Sequence, residues 1–274
     1  KRFCVFVATN DPHTPWKPNR HYDAKQVPVP PYVVDNATTR DSITRYYSDV
    51  EAMDAEVGQC MKLIDDLGVT QETLFVYAGD HGAQFPFSKW TCYDAGLNVP
   101  FIARWPGRVK AGSVSNALIH FIDFLPTAVE LTAGKPIAGL DGKSFASVLL
   151  GKTTDHHKYV FGIHTTRGII AGSPSYPIRS VRSATHKYIR NLQHDKPFHN
   201  IVTERDVEGY WSSWVKSAKT DPRAARLVDR YQRRPAEELY DIQRDPYEQN
   251  NLAADPAQRE RLAELRTVLD GWMK

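Results

Sequence analysis

Apolar positions along the chain follow two periods, and the changes between them mark its organisation. Residues 3–9 are a continuous apolar run rich in β-formers, which predicts a central strand buried on both faces. Pro12 and Pro15 stop that strand and predict a rigid loop. The Pro-rich stretch to about residue 31 predicts a surface excursion. Ile43, Tyr46, Tyr47, Val50, Met53, Val57, Cys60, Met61, Ile64 and Leu67 then recur at steps of three and four, predicting a helix over residues 40–67. Thr38 or Thr39 is the expected N-cap and Gly68 the stop. A second buried strand is expected over residues 73–78, and strand, helix, strand in this order implies a right-handed parallel crossover. Residues 99–105 read as a third strand closed by Pro106-Gly107. Residues 119–133 read as a helix with Pro126 near its first turn.

Beyond residue 150 the pattern changes. A polar break at 151–158, where His156-His157 reads as an exposed linker pair, predicts a boundary between a domain over 1–152 and a second over 153–274. Residues 178–183 and 186–191 alternate around a short turn, as in a hairpin. Leu239-Tyr240-Asp241 suggests a further strand. Asp255-Pro256 begins a last helix whose Leu262, Leu265, Leu269 and Trp272 form a stripe suited to packing on a sheet. The expected fold class is α/β, with part of a mostly parallel sheet followed by a small antiparallel α+β subdomain. The opening core-strand pattern, without a polar lead-in, reads as the remainder of something longer.

Composition narrows the function classes. The net charge is +3, too small to create a long-range field for nucleic acid. Any anionic ligand must be held by local basic residues. No apolar run approaches a membrane span. Cys4, Cys60 and Cys92 have the spacing of neither a zinc site nor a disulfide framework, so all three are expected reduced and buried.

Two loops then stand out, because ligand sites of open α/β sheets form at the carboxyl ends of strands. The first presents Asp11 and His13; the second presents Asp80 and His81, with Lys89 a short loop later. If the two strands are neighbours, these groups share one cleft, where oxygen and nitrogen donors suit a divalent cation. Each element has a plainer reading. Asp-Pro-His and Asp-His-Gly are common turns, and an isolated lysine is usually solvated. Their coincidence at strand ends gives the functional reading its weight.

The motifs, taken together, resemble the type I sulfatases of the alkaline-phosphatase superfamily. Asp11-Pro12-His13-Thr14-Pro15-Trp16 resembles that family's histidine loop. Gly79-Asp80-His81-Gly82, Lys89, Tyr93-Asp94-Ala95-Gly96 and Val99-Pro100-Phe101 resemble its second metal-ligand segment. Asp123-Phe124-Leu125-Pro126-Thr127 is similar to its Asp-x-x-Pro-Thr helix start, and Glu238-Leu239-Tyr240-Asp241 with Asp245-Pro246-Tyr247-Glu248 to its C-terminal motif. Tyr159-Val160-Phe161-Gly162, residues 175–182 and Lys187-Tyr188-Ile189-Arg190-Asn191-Leu192 look closest to the heparan N-sulfatases, or sulfamidases.

The resemblance implies an alkaline-phosphatase-like sandwiched sheet and hydrolysis of a sulfate ester or sulfamate on a sulfated sugar, of the N-sulfoglucosamine type. It implies Ca2+, ahead of Mg2+, as the metal. Asp80 would be a ligand; His81 takes a ligand position that is Asn in many relatives. Lys89 would contact a sulfate oxygen where the closest sulfamidases carry Arg, and His13 would contact the sulfate and protonate the leaving atom. Asp11, His164, Arg167 and Arg179 are the candidates for the sugar pocket. The family's nucleophile is a formylglycine made from a Cys/Ser-x-Pro-x-Arg motif. None of the three cysteines is followed by that Pro and Arg, so the nucleophile and the first metal aspartates are expected in a missing N-terminal half, and this chain alone is expected to be inactive. The implied partners are a sulfated saccharide and that N-terminal half, with a periplasmic, secreted or lysosomal location. Two other readings stay open: a phosphonate monoester or phosphodiester hydrolase of the same superfamily, and an inactive, binding-only fragment.

Overall fold

The computed structural model describes residues 3–133, 135, 137–165 and 171–274. Helix α1 (Ala37–Asp66) is the longest element. Asn36, rather than Thr38 or Thr39, is its N-cap, accepting the Thr39 N–H at 2.9 Å. Thr39 is instead fully buried and accepts the Trp214 indole N–H at 2.8 Å. Gly68, at φ 69°, ends the helix as expected. Burial along α1 is uneven: Ile43 and its small polar neighbours are covered, whereas Leu63 and Leu67 at the far end are exposed.

Strand β1 (Phe75–Ala78) and strand β2 (Phe101–Arg104) flank the short helix α2 (Asp94–Leu97) and pair antiparallel. The expected strand at residues 3–9 is not one. These residues carry no strand structure, and Phe3, Val5, Phe6 and Val7 are exposed. A strand is defined by the ladder it makes with a neighbour, and no described strand lies beside this run. The parallel crossover therefore has no counterpart among the described residues, where every strand pair is antiparallel. A 3-10 turn (Phe121–Asp123) leads into α3 (Phe124–Ala133), and α4 (Ala146–Leu149) follows.

The second sheet is a four-stranded antiparallel meander of β3 (Val160–His164), β4 (Ile178–Arg182), β5 (His186–Asn191) and, after the helices, β6 (Glu237–Asp241). Helices α5 (Ile201–Glu204), α6 (Tyr210–Ser217) and α7 (Pro222–Gln232) stand between β5 and β6, and α8 (Arg259–Trp272) closes the fold. Strand alternation divides the packing between the two faces. Val181, Tyr188 and Leu239 pack under Leu262, Leu265 and Leu269 of α8, and Trp272 stacks on Phe161 with ring centroids 4.6 Å apart. Ile178, Ile189 and Tyr240 point the other way, into the main core with Trp16, Phe85, Trp214 and Tyr231. That core draws on residues from both ends of the chain and holds the loop after β1 against the meander.

Cys92 is buried as expected, but Cys4 is exposed and Cys60 half-buried; all three are free. Cys4 lies on the uncovered 3–9 run and Cys60 on the bare half of α1. Among the described residues, no helix is long and apolar enough to cross a membrane.

Candidate active site

The loop between β1 and α2 folds back on itself through two glycines. Gly82 N–H donates to the Gly96 carbonyl at 3.0 Å. A Cβ at Gly82 would lie 1.8 Å from the Ala95 carbonyl oxygen, and one at Gly96 would lie 2.4 Å from that of Ser88. The crossing therefore excludes any side chain. Ser88 Oγ donates to the Ala95 carbonyl at 2.6 Å, and the Lys89 N–H donates to the Ala83 carbonyl at 3.0 Å. Phe87 and Trp90 hold φ of 65° and 69°, a region bulky residues rarely adopt. Held this way, Lys89 is 6% exposed.

Lys89 lies in a cleft of about 320 Å³ whose lining includes His81, Trp90, Leu97, Ile163 and His164. Its ammonium sits 5.1 Å from the Trp90 ring centroid, and among the described residues it has no hydrogen bond or ion pair. Burial pushes its pKa down, against an opposing pull from Asp80. His164, the last residue of β3, is also buried, and its Nε2 has no hydrogen-bond partner among the described residues. Burial, reinforced by the Arg234 and Arg179 charges, pushes its pKa down to about 4, so the imidazole is neutral at neutral pH. The cleft thus offers a largely desolvated cation and a neutral ring beside an apolar wall. That combination suits an anionic group carried on a compact, partly apolar body such as a sugar ring.

Asp80 stands beside this lining with its side chain 86% exposed; its Oδ2 lies 3.3 Å from His81 Nε2. Asp11 is paired with Lys17, and His13 is exposed with Nδ1 2.5 Å from the Thr14 carbonyl. Neither Asp11 nor His13 lines the cleft. Their loop is nonetheless tied to the cleft loop, because Trp16 packs on Phe85 with centroids 4.9 Å apart and donates its N–H to Glu208 Oε1 at 3.0 Å. Arg179 lies behind His164, donating to its carbonyl at 3.2 Å instead of lining the cleft. Arg167 lies outside the described residues. The structure thus brings His81, Lys89 and His164 together, sets Asp80 next to them, and leaves Asp11 and His13 on an adjoining loop.

Three features escaped the sequence reading. The apolar wall of Trp90, Leu97 and Ile163 was one; the position of Trp90 next to Lys89 was its only signal. A second is that Ser175-Tyr176-Pro177-Ile178-Arg179 meets the serine form of the nucleophile spacing. Ser175 is exposed in the bend before β4, and neither it nor Arg179 lines the cleft. The third is the pair His156-His157, expected to be exposed. The His156 side chain is 3% exposed, and both Nε2 atoms face Asp123, at 3.3 Å and 2.9 Å.

Known proteins similar to this chain include sulfatases. Residues 1–135 match the family described as Sulfatase, and residues 79–205 match N-sulphoglucosamine sulphohydrolase, C-terminal. An ulvan-active sulfatase of Formosa agariphila is 35% identical over all of this chain and 52% of its own length. Human N-sulphoglucosamine sulphohydrolase is 28% identical over 94% of this chain and 52% of its own length. A putative sulfatase structure from Bacteroides thetaiotaomicron superimposes with TM-score 0.65 at 24% identity, covering 98% of this chain and 54% of that one. A structure described as in complex with its substrate D-glucosamine-2-N,6-O-disulfate superimposes with TM-score 0.61 at 21% identity, covering 84% of this chain and 40% of that one. The chain spans about half the length of the curated relatives it matches.

Proposed function

The chain belongs to the sulfatase family, and on that premise we propose that it supplies the basic, sugar-facing wall of a hydrolase acting on a sulfated saccharide, with N-sulfoglucosamine-type substrates first in line. The observation that carries this reading is Lys89: a residue 6% exposed whose ammonium has no hydrogen bond or ion pair among the described residues, in one cleft with His81 and the neutral His164. A fixed cation in a water-poor site is worth far more to a developing sulfate charge than one in solvent. Lys89 holds a sulfate oxygen, and His81 contacts the sulfate or the metal. His13 protonates the leaving atom from the adjoining loop. His164 forms the sugar side, with Arg179 bonded to its carbonyl from behind. The match to the sulphohydrolase C-terminal family over residues 79–205 supports the N-sulfated choice.

Asp80 fits Ca2+ as a single carboxylate ligand. Calcium takes six to eight oxygens, so the other ligands come from elsewhere; His81, an imidazole, suits contact with sulfate better. When bound, the ion supplies positive charge to the sulfate oxygens. The formylglycine nucleophile belongs to a segment outside these residues, because Ser175, although correctly spaced, stands away from the cleft. The exposed apolar side chains of residues 3–7, Leu63, Leu67 and Ile102 are the surface which that segment covers.

The test is sulfate release from N-sulfoglucosamine, an O-sulfated disaccharide and an aryl phosphonate. It compares the chain alone with the chain joined to its own upstream sequence. The chain alone is expected to release nothing and the joined protein to release sulfate, with Lys89→Met reducing kcat/KM by about 10²–10³-fold. Turnover by the chain alone, or preference for the phosphonate, would overturn the proposal.

A further inference from the structure

We propose that Asp123, His156 and His157 form a binding site for a divalent transition metal of the zinc class. The three residues offer ligand atoms that all lie within 4.8 Å of one another. Asp123 is fully buried at the start of α3, and His156 and His157 enter from the segment before β3. Both carboxylate oxygens are already oriented, Oδ2 by the His120 N–H at 2.7 Å and Oδ1 by the Lys143 N–H at 2.9 Å. Each oxygen keeps a second lone pair, and those face the two imidazoles.

His157 Nε2 lies 2.9 Å and 3.0 Å from the two oxygens. His156 Nε2 lies 3.3 Å from Oδ2, is buried, and among the described residues makes no well-aligned hydrogen bond. Two rings with centroids 4.2 Å apart therefore aim the same nitrogen at one carboxylate. Among the described residues, well-aligned hydrogen bonding accounts for one of them and leaves the buried nitrogen of the other with only a 3.3 Å approach to Oδ2, which is costly. A metal ion satisfies both. Zinc bonds of about 2.0–2.1 Å in a tetrahedron set neighbouring ligand atoms about 3.4 Å apart. The nitrogen–oxygen separations of 2.9 Å and 3.3 Å need only small adjustment to reach that spacing.

Two imidazoles and one carboxylate disfavour calcium, which selects oxygen, and suit zinc, cobalt or nickel. His157 is 26% exposed, so water can reach the fourth position. None of the three residues lines the cleft of Lys89. The ion would clasp the start of α3 to the segment leading into β3, where His157 N–H also bonds the Leu118 carbonyl at 3.3 Å.

The test strips the 274-residue chain with a chelator and titrates it with Zn2+ and with Co2+. The expected result is one equivalent bound, tetrahedral ligand-field bands with cobalt, and a higher Tm with zinc. His157→Gln and His156→Gln each remove the equivalent while leaving the circular dichroism unchanged, whereas His81→Gln keeps it. Asp123→Asn also removes one of the two backbone anchors, because its amide nitrogen cannot accept, and is read only if it folds. Absence of tetrahedral cobalt bands in the unaltered protein overturns the proposal whether or not the variants fold. So does stoichiometric binding that survives both histidine substitutions.

Discussion

Replacing Gly82 by alanine tests whether the glycine crossing positions the cleft. The added Cβ would stand 1.8 Å from the Ala95 carbonyl oxygen, 2.5 Å from Ser88 Oγ and 2.9 Å from the Ala95 carbonyl carbon. Ser88 Oγ can rotate away only by losing its 2.6 Å bond to the Ala95 carbonyl. The carbonyl itself is backbone, so relief requires the two loop arms to separate by more than 1 Å. Overpacking of this kind costs about 1–3 kcal/mol, and more where backbone must move. Losing the Ser88 bond adds about 1 kcal/mol. The expected loss is therefore about 2–4 kcal/mol in urea unfolding. Gly58→Ala is the control: it meets nothing within 4 Å and lies inside α1, so it should stabilise by about 0.5–1 kcal/mol. If the protein joined to its upstream sequence hydrolyses sulfate as proposed, Gly82→Ala should also lower its kcat/KM by about 10²-fold, because an ångström of misplacement at Lys89 costs that much. Gly82→Ala with an unchanged unfolding midpoint, or a lower midpoint with full activity, would refute the claim that this crossing sets the position of Lys89.

Two further predictions follow from burial. His164 has a folded pKa of about 4 against 6.5 unfolded, so its contribution is complete above pH 6.5 and is lost as pH falls from 6.5 to 4. At about 1.4 kcal/mol per unit the loss is about 3 kcal/mol. Urea unfolding from pH 7 to 4 should show His164→Gln losing less stability than the unaltered protein by about that amount, and parallel curves would reject it. Leu265 is fully buried between Val181, Tyr188 and Leu239. Leu265→Ala should lower stability by about 2–5 kcal/mol with an unchanged m-value, while Leu63→Ala on the exposed end of α1 should change it by under about 0.5 kcal/mol.

The elements readable from sequence were those whose pattern reports on neighbours close in the chain. The β4–β5 hairpin needs only its own alternation, and α8 carries its stripe at Leu262, Leu265 and Leu269; both form where expected. The 3–9 run fails for the opposite reason. Its composition records an environment, burial on two faces, that no described residue of this chain supplies. The far half of α1 shows the same mismatch: Leu63 and Leu67 keep the period but are exposed. Helices α6 and α7 have short, aromatic-rich patterns with anchors, Trp214 and Tyr231, that pack on distant parts of the chain, so local period said little about them.

The candidate site divides along the same line. Asp80, His81 and Lys89 belong to one loop, and their grouping follows from its length and its two glycines. His164 reaches the cleft only because β3 ends there, and β3 is placed by pairing with β4 through Ile163↔Arg179 and His164↔Ile178. Asp123 and His157 are 34 positions apart and meet because the start of α3 and the approach to β3 run side by side at Leu118 and His157. No local pattern encodes that meeting. Asp123 read as a helix start and His156-His157 as a linker, and each was chemically unremarkable until the chain path brought them together. Chemistry built within a loop is therefore visible in sequence, whereas chemistry built between elements is visible only once the pairing that joins them is known.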